Sequence, residues 1–250
     1  MTVKISIITV VLNNKKFIAN AIESVLSQDY PNIEYIIIDG CSKDGSLKII
    51  QSYENKIHKI ISEPDKGIYD AMNKGISFAT GDVIGFLNSD DFYTNTSVVS
   101  KIMNAFNDKT DAIYADLDYV STHDKNKIIR AWKAGKYHHK KFYSGWMPPH
   151  PTFFVRKNIY KDFGGFNSTI KSSADYELML RFILKHKIVL QYIPEVLVKM
   201  RVGGQSNRNI INRIKANLQD RKAWKVNNLK PHFYTLWLKP LKKIFQYRFW

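Results

Sequence analysis

A chain of 250 residues is long enough for one large α/β domain or two small ones. Its composition is that of a globular protein, 44% hydrophobic and 24% charged, and the single cysteine, Cys41, excludes an internal disulfide framework and points to a reducing compartment. The net charge of +16 is uneven: residues 201–250 hold 12 Lys or Arg against one acid, Asp220, an asymmetry that points to nucleic acid, an anionic membrane surface or phosphorylated substrates.

The first hundred residues alternate strand and helix. Ile5–Val11 is a β-branched run that predicts a strand. The stretch Val3–Leu12 carries Lys4, Ser6 and Thr9 without a small-residue cleavage site, so it reads as a first strand rather than a signal peptide. Phe17, Ile18, Ala21, Ile22, Val25 and Leu26 fall on one helix face, and Tyr30-Pro31 ends that helix. Ile33–Ile38 predicts a second strand, Ser46–Tyr53 a helix, Ile57–Ile61 a third strand and Ile68–Ala79 a helix ending near Gly81. Val83–Leu87 is a further buried strand. This rhythm implies a parallel sheet with right-handed crossovers.

The pattern loosens after about residue 110. Ala112–Asp118 and Ile128–Lys133 predict strands of a smaller mixed sheet, and Ala174–Lys185 a helix. His150–Val155 is a short apolar run after the Pro148-Pro149 break, Gly203-Gly204 breaks the chain again, and Ile210, Ile211, Ile214 and Leu218 suit another helix. No apolar stretch approaches the ~20 residues of a membrane-spanning helix. No linker separates independent domains, so the reading is one core with a basic C-terminal extension.

Chemistry concentrates at the predicted strand ends. Asn88-Ser89-Asp90-Asp91 follows a buried strand, where adjacent carboxylates repel and must be neutralised; a hard divalent cation does this, whereas in isolation such a pair is also an ordinary turn. Asp39 ends the second strand on the same edge, suited to a nucleobase N–H or a ribose hydroxyl, or to an Asx turn with Gly40. Thr9 and Asn13 follow the first strand there. In the segment Glu63–Gly75, Asp65, Lys66, Asp70 and Asn73 are expected to face a nucleotide at a helix N-terminus, and the acids also complement the helix dipole. No GxxxxGK[ST] and no GxGxxG after the first strand is present, which excludes a P-loop and counts against a dinucleotide fold. His138, His139 and His150 lack Cys partners or a His-Glu-x-x-His arrangement, so no zinc site is expected.

Ser6-Ile7-Ile8-Thr9-Val10-Val11-Leu12-Asn13, Ala21-Ile22-Glu23-Ser24-Val25-Leu26-Ser27-Gln28, Glu34–Ser46, Ala79-Thr80-Gly81-Asp82 and Phe86–Asp91 occur in the order seen in family 2 glycosyltransferases. From about residue 3 to 206 the chain resembles the bacterial members that assemble surface polysaccharides. The resemblance implies a GT-A fold: an α/β architecture with a Rossmann-like, mostly parallel central sheet flanked by helices, a small mixed sheet and here a basic helical extension. It divides the chain into a catalytic domain, 1–206 (nucleotide-sugar half 1–110, acceptor half 111–206), and an extension, 207–250. It implies inverting transfer from a UDP-sugar, with Thr9 and Asp39 in the base pocket, Asp90 near the ribose and Asp91 on Mn²⁺ or Mg²⁺. Asn88 departs from the acid the family often carries two residues before the pair. The general base would be Asp175, in Ser173-Ala174-Asp175-Tyr176-Glu177, where Ala174 replaces the family's usual acid; as a bare residue Asp175 also suits a helix cap.

Trp146-Met147-Pro148-Pro149-His150 offers an aromatic face and an imidazole for a sugar acceptor, or an ordinary packed loop. Arg201 and Gly203-Gly204-Gln205-Ser206 are expected to cover the diphosphate. In the tail, Phe233, Leu236, Trp237, Leu241, Ile244 and Phe245 recur at helical spacing among Lys239, Lys242, Lys243 and Arg248, with Pro240 as a kink or a helix start. This pattern predicts a peripheral protein on the cytoplasmic face of the inner membrane, which fits the polyprenyl-diphosphate-linked saccharide acceptor expected from the resemblance; a tail packed on protein is the competing reading. A nucleotidyltransferase would share the acidic nucleotide site, but Leu12-Asn13-Asn14-Lys15-Lys16 lacks the glycines of its loop. A nucleic-acid module would spread its charge over a sheet face or groove, rather than concentrate it in a tail.

Overall fold

The computed structural model describes residues 3–203, 210–244 and 246, with the side chains of 210–216 and 242–244 left aside. Its nucleus is a parallel sheet of β1 (Ile5–Val11), β2 (Ile33–Asp39), β3 (Lys59–Ser62) and β4 (Val83–Phe86). β1 lies between β2 and β4, with Val11 opposite Asp39 and Ile8 opposite Phe86. Both faces are covered, which explains the near-continuous apolar runs. Ile8, Val10, Ile36 and Ile38 point to one layer, and Ile5, Ile7, Tyr35 and Ile37 to the other, following the two-residue period of a strand. The first layer receives α3 (Ile68–Phe78) through Ala71 and Met72. The second receives α1 (Ile18–Leu26), α2 (Ser46–Gln51) and α4 (Val98–Ala105).

The antiparallel strands join this sheet directly. β4 pairs with β8 (Phe154–Arg156), β8 with β6 (Ala112–Val120), and β6 carries β7 (Ile128–Trp132). β9 (Leu190–Arg201) then runs parallel to β6 and antiparallel to the two-residue β5 (Phe92–Tyr93). The spatial order is β3-β2-β1-β4-β8-β6-β9-β5, so the mixed portion is continuous with the parallel one.

After the short helices α5 (Lys140–Tyr143) and α6 (Lys157–Phe163), α7 (Ala174–Met179) continues as a π-helical turn over Leu180–Lys185. The tail forms α8 (Ile210–Val226) and α9 (Thr235–Ile244). One side of it packs on the body. Trp224 is fully buried and donates its indole N–H to the Tyr176 hydroxyl at 3.0 Å. Asn227 bonds Glu177, Lys239 pairs with Asp220 at 2.8 Å, and the Thr235 hydroxyl donates to the Tyr143 carbonyl. Gly145 makes this docking possible. Its φ is +78°, and a Cβ there would sit 2.5 Å from the Lys239 nitrogen. Phe233, Trp237 and Leu241 remain exposed on the outer side (89%, 67% and 50%). Ile244, Phe245, Lys242, Lys243 and Arg248 fall outside the described side chains.

Candidate functional site

The carboxyl ends of β1, β2 and β4 open onto one edge, the position at which open α/β sheets gather ligands. Asp39 is buried there and accepts from the Ser42 backbone N–H at 3.1 Å and the Ser62 hydroxyl at 2.6 Å. Gly40 follows because a Cβ would meet the Asp65 carboxylate at 2.9 Å. Asp65 is held by Lys74 at 2.6 Å, and the Asp70 carboxylate accepts the Lys66 backbone N–H at 3.0 Å, so three of the four polar residues of this segment shape the loop before α3. Asn13, at φ +53°, accepts from the Lys43 N–H, and Asn14 donates to Ser89 at 2.8 Å, tying the loop after β1 to the acidic corner.

At that corner Asp91 is fully buried and its Oδ1 has no hydrogen-bond partner. Burial, and then the neighbouring Asp90 charge, push its carboxyl well above the usual range, against smaller opposing effects of Asn88 and Arg201. Burial raises Asp90 as well. An enclosed carboxylate with an orphaned oxygen beside a second carboxylate fits a hard dication. Among the described residues no group of three His, Cys, Asp or Glu is arranged to hold a metal, so the other ligands would be phosphate oxygens and water, as is usual for Mg²⁺.

Asp175, in the first turn of α7, comes to the same opening from the far half of the chain. Tyr69 donates its hydroxyl to Asp175 Oδ1 at 3.2 Å, and His150 Nδ1 lies 3.7 Å from Asp175 Oδ2. The other imidazole nitrogen, Nε2, is 3.4 Å from Asn88 Nδ2, which also faces Asp91 Oδ2 at 3.4 Å. Burial lowers the His150 pKa more than the charges of Asp175 and Asp90 raise it, so the ring is neutral at neutral pH. The structure therefore brings together Asp39, Asn13, Asp65, Asp90, Asp91, His150 and Asp175.

Four residues expected at this opening have other places. Thr9 is fully buried and its hydroxyl lies 3.1 Å from that of Tyr35, because its side chain faces the inner layer of β1. Asn73 donates to the Phe166 carbonyl and accepts the Phe166 N–H, both at 2.8 Å, so its amide clasps α3 to the 164–166 loop. Trp146 packs among Tyr114, Tyr137 and Phe142 and donates to the Ala134 carbonyl, leaving no open face for a sugar. Arg201 ends β9 between the rings of Phe17 and Phe92 and donates to the Asp90 carbonyl and Asn20, both at 2.6 Å, bracing the acidic corner from behind. Ser206 lies outside the described residues. Tyr69 is the contact that sequence reasoning missed, although it stands four residues before Asn73 on the same helix.

A parallel nucleotide-type sheet, an acidic corner at its edge and a carboxylate facing it from a later helix define a GT-A sugar-transfer architecture. The chain belongs to glycosyl transferase family 2, whose family model matches residues 6–174, and it is a glycosyltransferase. Membership sets aside the nucleotidyltransferase and nucleic-acid readings. Among curated relatives, a Bacillus subtilis protein named putative teichuronic acid biosynthesis glycosyltransferase TuaG is 40% identical over 90 residues, 35% of this chain and 36% of that one. Two solved structures share the fold. S. aureus TarS 1–349 in complex with UDP-GlcNAc has a TM-score of 0.66 at 18% identity, over 86% of this chain and 65% of that one. The mannosyltransferase PcManGT from Pyrobaculum calidifontis, in complex with GDP-Man and Mn²⁺, has a TM-score of 0.68 at 13% identity, over 96% and 73%.

Proposed function

We propose that this glycosyltransferase moves a sugar, with inversion, from a UDP-sugar to a saccharide carried on a polyprenyl diphosphate, in the assembly of a surface polysaccharide such as O-antigen, capsule or exopolysaccharide. The observation that carries the reading is the convergence of Asp91 and Asp175, 84 positions apart, through the Asn88–His150 contacts. The donor base would rest at Asp39 and the loop from Asp65 to Asp70, and the ribose at Asp90. Asp91 would hold Mn²⁺ or Mg²⁺, which when bound offsets charge growing on the leaving diphosphate. Asp175 takes the proton of the acceptor hydroxyl as that oxygen attacks the anomeric carbon from the face opposite the nucleotide. Neutral His150 borders the acceptor side of the carboxylate.

The bound nucleotides of the two structural neighbours, UDP-GlcNAc and GDP-Man, differ, while the Mn²⁺ in one and the name of the Bacillus relative support the metal and the polysaccharide context. Residues 1–206 would carry catalysis and 207–250 would complete and place it. No helix among the described residues is long and apolar enough to cross a membrane. Peripheral binding to the cytoplasmic face of the inner membrane is supported by the exposed stripe Phe233, Trp237 and Leu241 within a strongly basic tail.

The test is a transfer and donor-hydrolysis screen over UDP-, GDP- and dTDP-sugars, with Mn²⁺, Mg²⁺ or chelator. Turnover with UDP-sugars that chelator abolishes, and that Asp91→Ala and Asp175→Asn each remove, is expected. Metal-independent turnover, or full activity in either variant, overturns the corresponding assignment.

A further inference from the structure

We propose that Tyr69 and His150 are positioning residues that hold the Asp175 carboxylate from its two sides. This rests on Asp175 being the base. A carboxylate in the first turn of a helix rotates about its side-chain bonds unless its oxygens are engaged, and base catalysis depends on that orientation. Here each oxygen faces a different half of the protein.

Tyr69 comes from the nucleotide half. Its ring stacks on Phe166 with centroids 5.5 Å apart and planes at 25°. Phe166 is fixed in turn by the two backbone bonds from Asn73 and by an edge contact with Phe86. The ring therefore has nowhere to swing. Burial and the Asp175 charge raise the phenol far above working pH, so the hydroxyl keeps its proton and donates it to Oδ1.

His150 comes from the acceptor half, at the start of the turn His150–Thr152, which is anchored by the Thr152 hydroxyl on both the N–H and the carbonyl of Ala115. On its other side the ring meets the Asn88 amide, 3.4 Å from Nε2, and Asn88 in turn faces Asp91. The opposite nitrogen, Nδ1, faces Asp175 Oδ2. At 3.7 Å this contact is wider than a hydrogen bond, and a shift of under 1 Å closes it, as catalytic contacts do when substrate binds. Asn88 thus links the acidic corner to Asp175 through His150.

The experiment begins with Asp175→Asn. If that variant transfers sugar at the wild-type rate, the base assignment fails and this proposal with it. If transfer is lost, Tyr69→Phe and His150→Gln test the positioning alone. Tyr69→Phe keeps the stack and removes one oxygen, so a purely packing role predicts wild-type kinetics. Positioning predicts a kcat lowered about tenfold, the scale of one hydrogen bond to a charged group, with donor KM and UDP affinity within twofold and an unchanged melting midpoint. Wild-type kcat in both variants, or an effect confined to donor KM, overturns the positioning role.

Discussion

Trp224 makes the tail part of the catalytic body, and its replacement gives the sharpest test of that packing. The indole is fully buried, 5.3 Å from the Tyr143 ring, and its N–H is bonded to the hydroxyl of Tyr176, the residue next to Asp175. Trp224→Ala removes one of the largest buried side chains and leaves a cavity between α7 and α8, at a cost of about 3–5 kcal/mol. For a chain of this length each kcal/mol moves the melting midpoint by about 2–4 °C, so a fall of roughly 6–20 °C follows. Trp224→Phe keeps most of the packing and strands the Tyr176 hydroxyl, which is about 1–3 kcal/mol and roughly 2–12 °C. Scanning calorimetry on both variants, with transfer assayed well below the midpoint, reads the effect. Because α7 loses its support one residue from Asp175, the proposed base, Trp224→Ala should lower kcat more than donor affinity. A midpoint within 2 °C of wild type would refute the claim that α8 is structurally required.

Four further outcomes follow from the same geometry. Excess Mn²⁺ or Mg²⁺ should stabilise the fold, by about 2.7 kcal/mol at a hundred times the dissociation constant, and so raise the melting midpoint, and Asp91→Ala should abolish the rise in a thermal-shift titration. Because burial raises Asp91 and Asp90, the metal-free fold binds more protons there than the unfolded chain does; its stability from these groups falls as pH rises from about 4 through their raised values, a slope that saturating cation should flatten in denaturant melts. Glu34 has the opposite sign. The bonds from Ser6, Thr80 and Lys4 outweigh the upward effect of burial and lower it from 4.5 to about 2, so about 2–3 kcal/mol of stability, after allowance for solvent screening, is present above pH 5 and lost as pH falls toward 2, and Glu34→Gln should remove that acid limb. Replacing Phe233 and Trp237 by serine should weaken binding to anionic vesicles in sedimentation assays without lowering the melting midpoint, since both side chains are exposed.

The nucleotide half was legible because its strands and helices obey local rules. Ile5–Val11 and Ile33–Asp39 are rich in β-branched residues, and the apolar residues of Ile18–Leu26 sit on one face. β9 escaped notice because Pro194 and Glu195 interrupt it and its register slips beside Asp116, so no clean alternation survives. A two-residue strand such as β5 has no periodicity to read. The acidic corner and Asp175 were visible as motif order, yet side-chain direction was not. Arg201 pointed inward and Thr9 toward Tyr35 because tertiary partners, distant in sequence, were available to them. Trp146 shows the same limit: an indole in a loop rich in proline reads as a sugar platform until three other aromatics enclose it.

The pairing of β5 with β9 ties the acidic corner to a late part of the chain. The four parallel strands, by contrast, all lie within residues 5–86. Asp90 receives its brace only when Arg201 is synthesised, and α7 is secured only after Trp224 has emerged. Truncation from the C-terminus therefore removes these supports while leaving every strand of the parallel sheet present in the chain.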